Sequence, residues 1–218
     1  MMTNALQEKY NRIMAYIRSR SQEQHSNVSA QLMKTAELSD LKVYYRDISS
    51  LLSEGYLEKI RQGYYRVVLS DNAGNNQDEV ALIAALYPDG VLCMDTALFY
   101  YHYSDRTPFA WNIAIDKDTS KSRFALDYPL VQPYYMESVH LRYGVTLADF
   151  DGNTLKIFDR DRLICECIRN EKKMDAESYR KAIRGYTDDS KKSIANLLAY
   201  AKKRGMLRKV KERIGVWL

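Results

Sequence analysis

Arg46 sits in the run Tyr44-Tyr45-Arg46-Asp47-Ile48-Ser49-Ser50, so hydrogen-bond donors crowd one stretch of an amphipathic segment. A guanidinium can fork onto O6 and N7 of guanine, and Tyr and Ser hydroxyls donate to phosphates or base edges. A second group surrounds the turn at Gly63: Lys59, Arg61, Gln62, Tyr64 and Arg66. Its cations would neutralise phosphates, Tyr64 would add a hydrogen bond, and Gly63 lets backbone approach a partner closely. A third group is Lys191, Lys192, Lys202, Lys203, Arg204, Arg208 and Lys209, continued by Lys211 and Arg213. These lie largely opposite the apolar stripes of the last helices, as a second basic surface facing nucleic acid or an acidic protein.

Other chemistries find little support. His25, His102 and His140 are the only histidines, and none stands at metal-ligand spacing from Cys or carboxylate. Cys93, Cys165 and Cys167 are odd in number and form neither a disulfide framework nor a zinc pattern, which fits a reducing, cytoplasmic compartment. The chain contains no G-x-S-x-G, P-loop or G-x-G-x-x-G. Asp95, Asp105, Asp116, Asp118 and Asp127 could be assembled on paper into a metal-nuclease cluster, but they read more simply as loop and cap residues. The expectation is a non-enzymatic protein without metal or cofactor.

The elements that must position these groups follow from periodicity. Asn4 to Arg18 reads as a helix with Thr3 or Asn4 as cap and Leu6, Tyr10, Ile13 and Ile17 on one face, followed by a polar connector, Ser19 to Asn27. Val28 to Leu38 reads as a second helix, and Ser39-Asp40-Leu41-Lys42 separates it from a third with Ile48, Leu51 and Leu52 facing inward. Gly55 ends that helix, and a ribbon follows whose strands flank Arg61-Gln62-Gly63. Helix, short turn, helix and basic hairpin is the order of a winged helix-turn-helix, whose second helix enters the major groove of DNA while the wing touches phosphate. Asp71 to Gln77 carries no large apolar residue and marks the boundary between a domain at 1–70 and one at 78–218.

The second domain is expected to be α+β, a small sheet followed by a helical group. It opens with a helix from Asp78 to Leu86. Val91-Leu92-Cys93, Trp111 to Ile115 and Leu130 to Met136 read as strands, with a helix over Thr96–Tyr103 capped by Asp95. Asp151-Gly152 between alternating runs is preferred hairpin chemistry. Four helices close the chain: one capped by Asp159, one by Asp175, one by Thr187 or Asp188 and ending at Gly205, and one striped by Leu207, Val210, Ile214 and Trp217.

Composition agrees with a globular protein: 46% hydrophobic, 28% charged, no apolar run near the roughly 20 residues that span a bilayer, and no signal pattern at the N-terminus. The net charge of +5 is unevenly placed. Residues 1–66 carry 10 basic and 7 acidic side chains, residues 67–150 carry 5 and 11, and residues 151–218 carry 18 and 10. Two basic ends around an acidic middle suit anionic partners at both ends.

Three stretches together resemble a known family. They are Leu51 to Tyr65, Asp95-Thr96-Ala97-Leu98 with Tyr101-His102, and Asp159 to Arg169. The pattern is similar to the AbiEi antitoxins of AbiE abortive-infection toxin–antitoxin systems and covers nearly the whole chain in order. The resemblance implies an antitoxin with two tasks. An N-terminal winged helix would bind inverted repeats in double-stranded promoter DNA and repress its own operon. A C-terminal domain would counteract a nucleotidyltransferase-like toxin, with no stable complex required. Gln62 stands where the family's wing usually has Arg, which shifts phosphate contact toward Arg61 and Arg66. Thr96 stands where Ser is commoner and keeps a hydroxyl for a helix cap. The rival reading is a DNA-binding regulator with a ligand-sensing or catalytic, nuclease-like or kinase-like, C-terminal domain.

Overall fold

A computed structural model describes residues 3–23, 31–68, 79–150 and 153–215. The chain is mixed α+β, with two small sheets and a group of C-terminal helices. It divides into two compact units. The first is Met1–Pro88 with Ala125–Pro129 and Phe150–Asn153, and the second is Asp89–Phe124, Leu130–Asp149 and Thr154–Leu218. The division falls after the helix Glu79–Leu86, which therefore belongs with the first unit. The boundary read at Asp71–Gln77 lies outside the described residues.

In the first unit, α1 (Asn4–Glu23) runs five residues past the expected end at Arg18, into what the sequence suggested was connector. Thr3 Oγ1 accepts from the Leu6 amide at 3.4 Å. The extension is held by tertiary contacts, because Arg20 donates to the Leu32 carbonyl and to Glu37 Oε1, each at 3.2 Å. The expected helix over Val28–Leu38 is corrected. Residues 24–30 lie outside the described residues, Leu32–Lys34 is a strand (β1), and Thr35–Asp40 is helix (α2). Gln31 is itself helical, so the departure from the expected helix is at Leu32–Lys34, where Leu32 and Met33 pair across from Arg66 and Tyr65 and sheet pairing overrides the local helical spacing.

Next come α3 (Tyr45–Ser53), β2 (Leu57–Arg61), β3 (Tyr64–Val67) and α4 (Glu79–Leu86). The sheet is antiparallel in the order β1-β3-β2. Gly55 and Gly63 have φ of +77° and +80°, the left-handed backbone that Gly adopts without steric cost. Ile13, Ile17, Met33, Leu38, Val43, Ile48, Leu51, Leu57 and Val67 form the core and fix which face of α3 turns inward.

The second unit is built on a five-stranded mixed sheet in the order β6-β5-β4-β8-β7. The strands are β4 (Val91–Leu92), β5 (Trp111–Asp116), β6 (Val131–Met136), β7 (Val145–Phe150) and β8 (Asn153–Phe158). The turn expected at Asp151-Gly152 lies outside the described residues. The helix after β4, α5 (Met94–Tyr100), starts one residue before Asp95, so Asp95 is not its cap. Thr96 does not cap it either. Its hydroxyl oxygen accepts from the Asn112 amide at 2.8 Å, while Asn112 Oδ1 accepts from the Asp95 amide at 2.9 Å, stitching α5 to β5.

The C-terminal helices are α6 (Arg160–Arg169), α7 (Ala176–Asp188), α8 (Ile194–Lys203) and α9 (Leu207–Ile214). Asp159 caps α6 and Asp175 caps α7, as their positions before apolar stripes suggest. The cap of α8 is Ser193, not Thr187 or Asp188. Ser193 Oγ accepts from the Asn196 amide, whereas the Thr187 hydroxyl donates back to the Arg184 carbonyl. Trp217 lies outside the described residues.

Candidate nucleic-acid interface

Asp47 fixes the start of α3. Its carboxylate accepts from the Tyr44 amide at 2.9 Å and from Lys9 Nζ of α1 at 2.7 Å. Partial burial pushes this carboxyl up, but the bonds from Lys9 and the Tyr44 amide outweigh it and hold it below its ordinary value. With the helix start anchored and Ile48 and Leu51 buried, the other face is left to solvent. Tyr45 is 84% exposed and Tyr44 53%, and Arg46 and Ser49 are exposed beside them. Ser50 is half-buried and donates its hydroxyl to the Arg46 carbonyl at 3.1 Å. Four of the five residues chosen at the start of α3, its cap Tyr44 included, are thus exposed. Exposed Tyr rings beside a guanidinium are suited to stacking and to phosphate contact.

The hairpin divides differently. Lys59 and Gln62 are exposed. Arg66 is half-buried and pairs with Glu58 across the β2–β3 ladder, its Nε 3.1 Å from the carboxylate. Tyr64 is half-buried under two cations, Arg61 at 4.0 Å and Lys34 at 5.9 Å from its ring centroid. Arg61 corrects the expectation. It is 9% exposed, donates to the Leu86 carbonyl at 3.4 Å and lies over both Tyr64 and Tyr87. A register shift between Lys59 and Arg61 puts it opposite Tyr64, on the buried side of the ribbon. Its charge serves packing within this unit and is not presented to solvent.

Two cations on this surface were missed. Lys34 is exposed at the end of β1, level with Tyr64. The helical spacing of its stretch hides this position in the sequence. Lys42, exposed at φ +60°, sits in the turn ahead of α3, and its place in Ser39-Asp40-Leu41-Lys42 was a usable signal.

The C-terminal basic group also splits. Lys191, Lys202 and Lys203 are exposed, Lys203 lying 4.9 Å from the Tyr143 ring centroid. Arg208 is exposed and pairs with Glu212 at 2.8 Å. Lys192 donates to the Thr187 and Asp189 carbonyls at the end of α7, and Lys209 pairs with Glu171 at 3.2 Å. Arg204 is not a surface cation. Its side chain is 6% exposed and forms a buried cluster with Glu166 and Arg162.

Among the described residues no three His, Cys, Asp or Glu side chains gather as a metal site. Asp105 is held by Lys181, and Asp116 accepts from Ser138 and from the Asp118 amide. All three cysteines are free and buried. Among the described residues no helix is long and apolar enough to cross a membrane. Comparison of the chain with protein-family models and with curated proteins returns no match.

Proposed function

We propose that this chain is a DNA-binding antitoxin that represses its own operon, with a winged helix-turn-helix as the reader. The observation that carries the DNA-binding half is the exposed face of α3. Tyr44, Tyr45, Arg46 and Ser49 point away from a core that fixes the helix, beside a three-stranded sheet whose hairpin offers Lys59 and Gln62. In such a module α3 enters the major groove and the hairpin lies along the backbone. Lys34, Lys42 and the half-exposed Arg66 extend the positive rim. The antitoxin half rests on the resemblance carried by Leu51–Tyr65, Asp95–Leu98 and Asp159–Arg169. Its partner would be a nucleotidyltransferase-like toxin, met through the exposed basic residues of the second unit. In this reading the protein is not an enzyme and works in the cytoplasm.

The test uses the full chain, because the first compact unit draws on Ala125–Pro129 and Phe150–Asn153 and a cut near residue 70 would divide it. Wild type and Tyr45→Ala/Arg46→Ala are co-expressed with the adjacent toxin gene and tested in parallel on the upstream promoter. The reading expects rescue by both proteins and promoter binding by wild type alone. Promoter binding without rescue by either would leave a plain regulator. Equal promoter binding by wild type and variant would remove α3 as the reader.

A further inference from the structure

The second unit contains a cavity of about 390 Å³ between the β6 edge, the start of α5 and the outer side of α6. Its floor includes Glu166 and Arg204, its mouth Arg169 and Lys173, and its apolar side Met94 and Tyr134. The charge arrangement is unusual. Among the described residues, Glu166 is the only carboxylate serving two buried guanidiniums. Arg162, fully buried, donates to Oε1 at 2.9 Å, and Arg204 donates to Oε2 at 2.9 Å. The cluster therefore keeps one excess positive charge out of water, which is costly without a counter-charge. The Tyr143 and Phe158 rings, 4.4 and 4.6 Å from Arg162, offset part of it. Arg204 Nε approaches Glu166 Oε1 at 2.8 Å but makes no hydrogen bond there. Arg169 and Lys173 add two further cations whose side chains have no hydrogen-bond or ion-pair partner among the described residues. The cavity is thus lined by three cations, Arg169, Lys173 and Arg204, against one carboxylate, Glu166, a net of two positive charges, with buried Arg162 behind Glu166.

We propose that this cavity binds a small phosphorylated ligand with a planar ring, of nucleoside-monophosphate size. A phosphate monoester brings close to two negative charges and three strong acceptor oxygens, matching Arg169, Lys173 and the Arg204 donors better than a single carboxylate does. The volume is within the range of small-molecule sites. Tyr134 offers an aromatic face for a ring, and Gln132 supplies an amide for its polar edge. Burial keeps the Tyr134 phenol protonated, so it acts as a donor.

The experiment is calorimetric titration of the full chain with each of the four common ribonucleoside monophosphates, the matching nucleosides and inorganic phosphate. It is repeated on Arg169→Gln and Lys173→Gln, both at exposed positions, with melting midpoints measured alongside. At least one monophosphate should bind. Its nucleoside and inorganic phosphate should bind at least about tenfold more weakly, and each variant should weaken the monophosphate about tenfold, the scale of one charged hydrogen bond. Absence of monophosphate binding, equal binding of inorganic phosphate, or unchanged affinity in both variants with unaltered melting midpoints would each overturn the proposal.

Discussion

The guanidinium of Arg61 lies 4.0 Å from the ring centroid of Tyr64, three residues on and across the hairpin turn. This pair makes Arg61 a structural cation, in contrast to the exposed Lys59 on the same ribbon. Arg61→Ala should destabilise the first unit by about 1–2 kcal/mol, the loss expected for a desolvated cation–π contact and its packed stem. It should leave the salt dependence of DNA binding unchanged. Lys59→Ala should do the reverse, with stability unaltered and the slope of log K against log salt reduced by about 1. Chemical denaturation and binding at several salt concentrations measure both. A reduced slope in Arg61→Ala would return Arg61 to the phosphate backbone.

Arg46 separates stability from recognition in the same way. It is exposed, and Asp47, not Arg46, holds the start of α3. Arg46→Ala should change stability by less than about 0.5 kcal/mol, as surface substitutions away from special contacts do. If Arg46 forks onto a guanine, the loss at the operator is about 1–3 kcal/mol, and discrimination relaxes at one base position. A loss shared equally by operator and random DNA would make it a phosphate contact instead.

How far the sequence is legible depends on whether a signal is local. Asp159 and Asp175 each stand before an apolar stripe, and each caps the helix it announces. Gly55 and Gly63 take the left-handed backbone that their turn positions require. The stretch Leu32–Lys34 is misread because its partners, Arg66 to Tyr64, lie 30 to 34 residues away, and pairing with them decides its conformation. Arg204 is misread for the same kind of reason. It stands among Lys202, Lys203 and Arg208, and only the packing of α8 on α6 brings it to Glu166. The inward faces of helices are written in spacing, whereas which cations turn inward to meet a distant carboxylate is not.

Glu171 gives a pH signature. The Arg213 guanidinium, with Lys209 behind it, holds its carboxyl down at about 2, against an ordinary value of 4.5. A carboxyl depressed in the folded state contributes stability that is present above the unfolded pKa and lost as pH falls through the folded one. The window therefore runs from about pH 4.5 down to about 2. Solvent screening reduces the contribution, because the Arg213 guanidinium is half exposed even though the Glu171 side chain is not. Arg213→Ala should raise the Glu171 midpoint toward the ordinary value and flatten the stability difference across that window. Carboxyl chemical shifts followed through an acid titration measure it, and an unmoved midpoint would assign the depression to Lys209.

The cluster at Glu166 makes the largest stability prediction. Its side chain is 3% exposed and bonds to both Arg162 and Arg204, themselves 0% and 6% exposed. Glu166→Gln keeps the shape but removes the only charge that both guanidiniums share. Breaking a buried pair this way costs about 3–5 kcal/mol, because the remaining charges stay desolvated and uncompensated. Replacing the whole cluster, as Arg162→Met, Glu166→Leu and Arg204→Met together, removes the charges along with their desolvation and should recover most of that loss. Equilibrium urea unfolding of the two variants against wild type measures the difference. A Glu166→Gln cost below about 1 kcal/mol would mean that water or an anion already compensates the two guanidiniums.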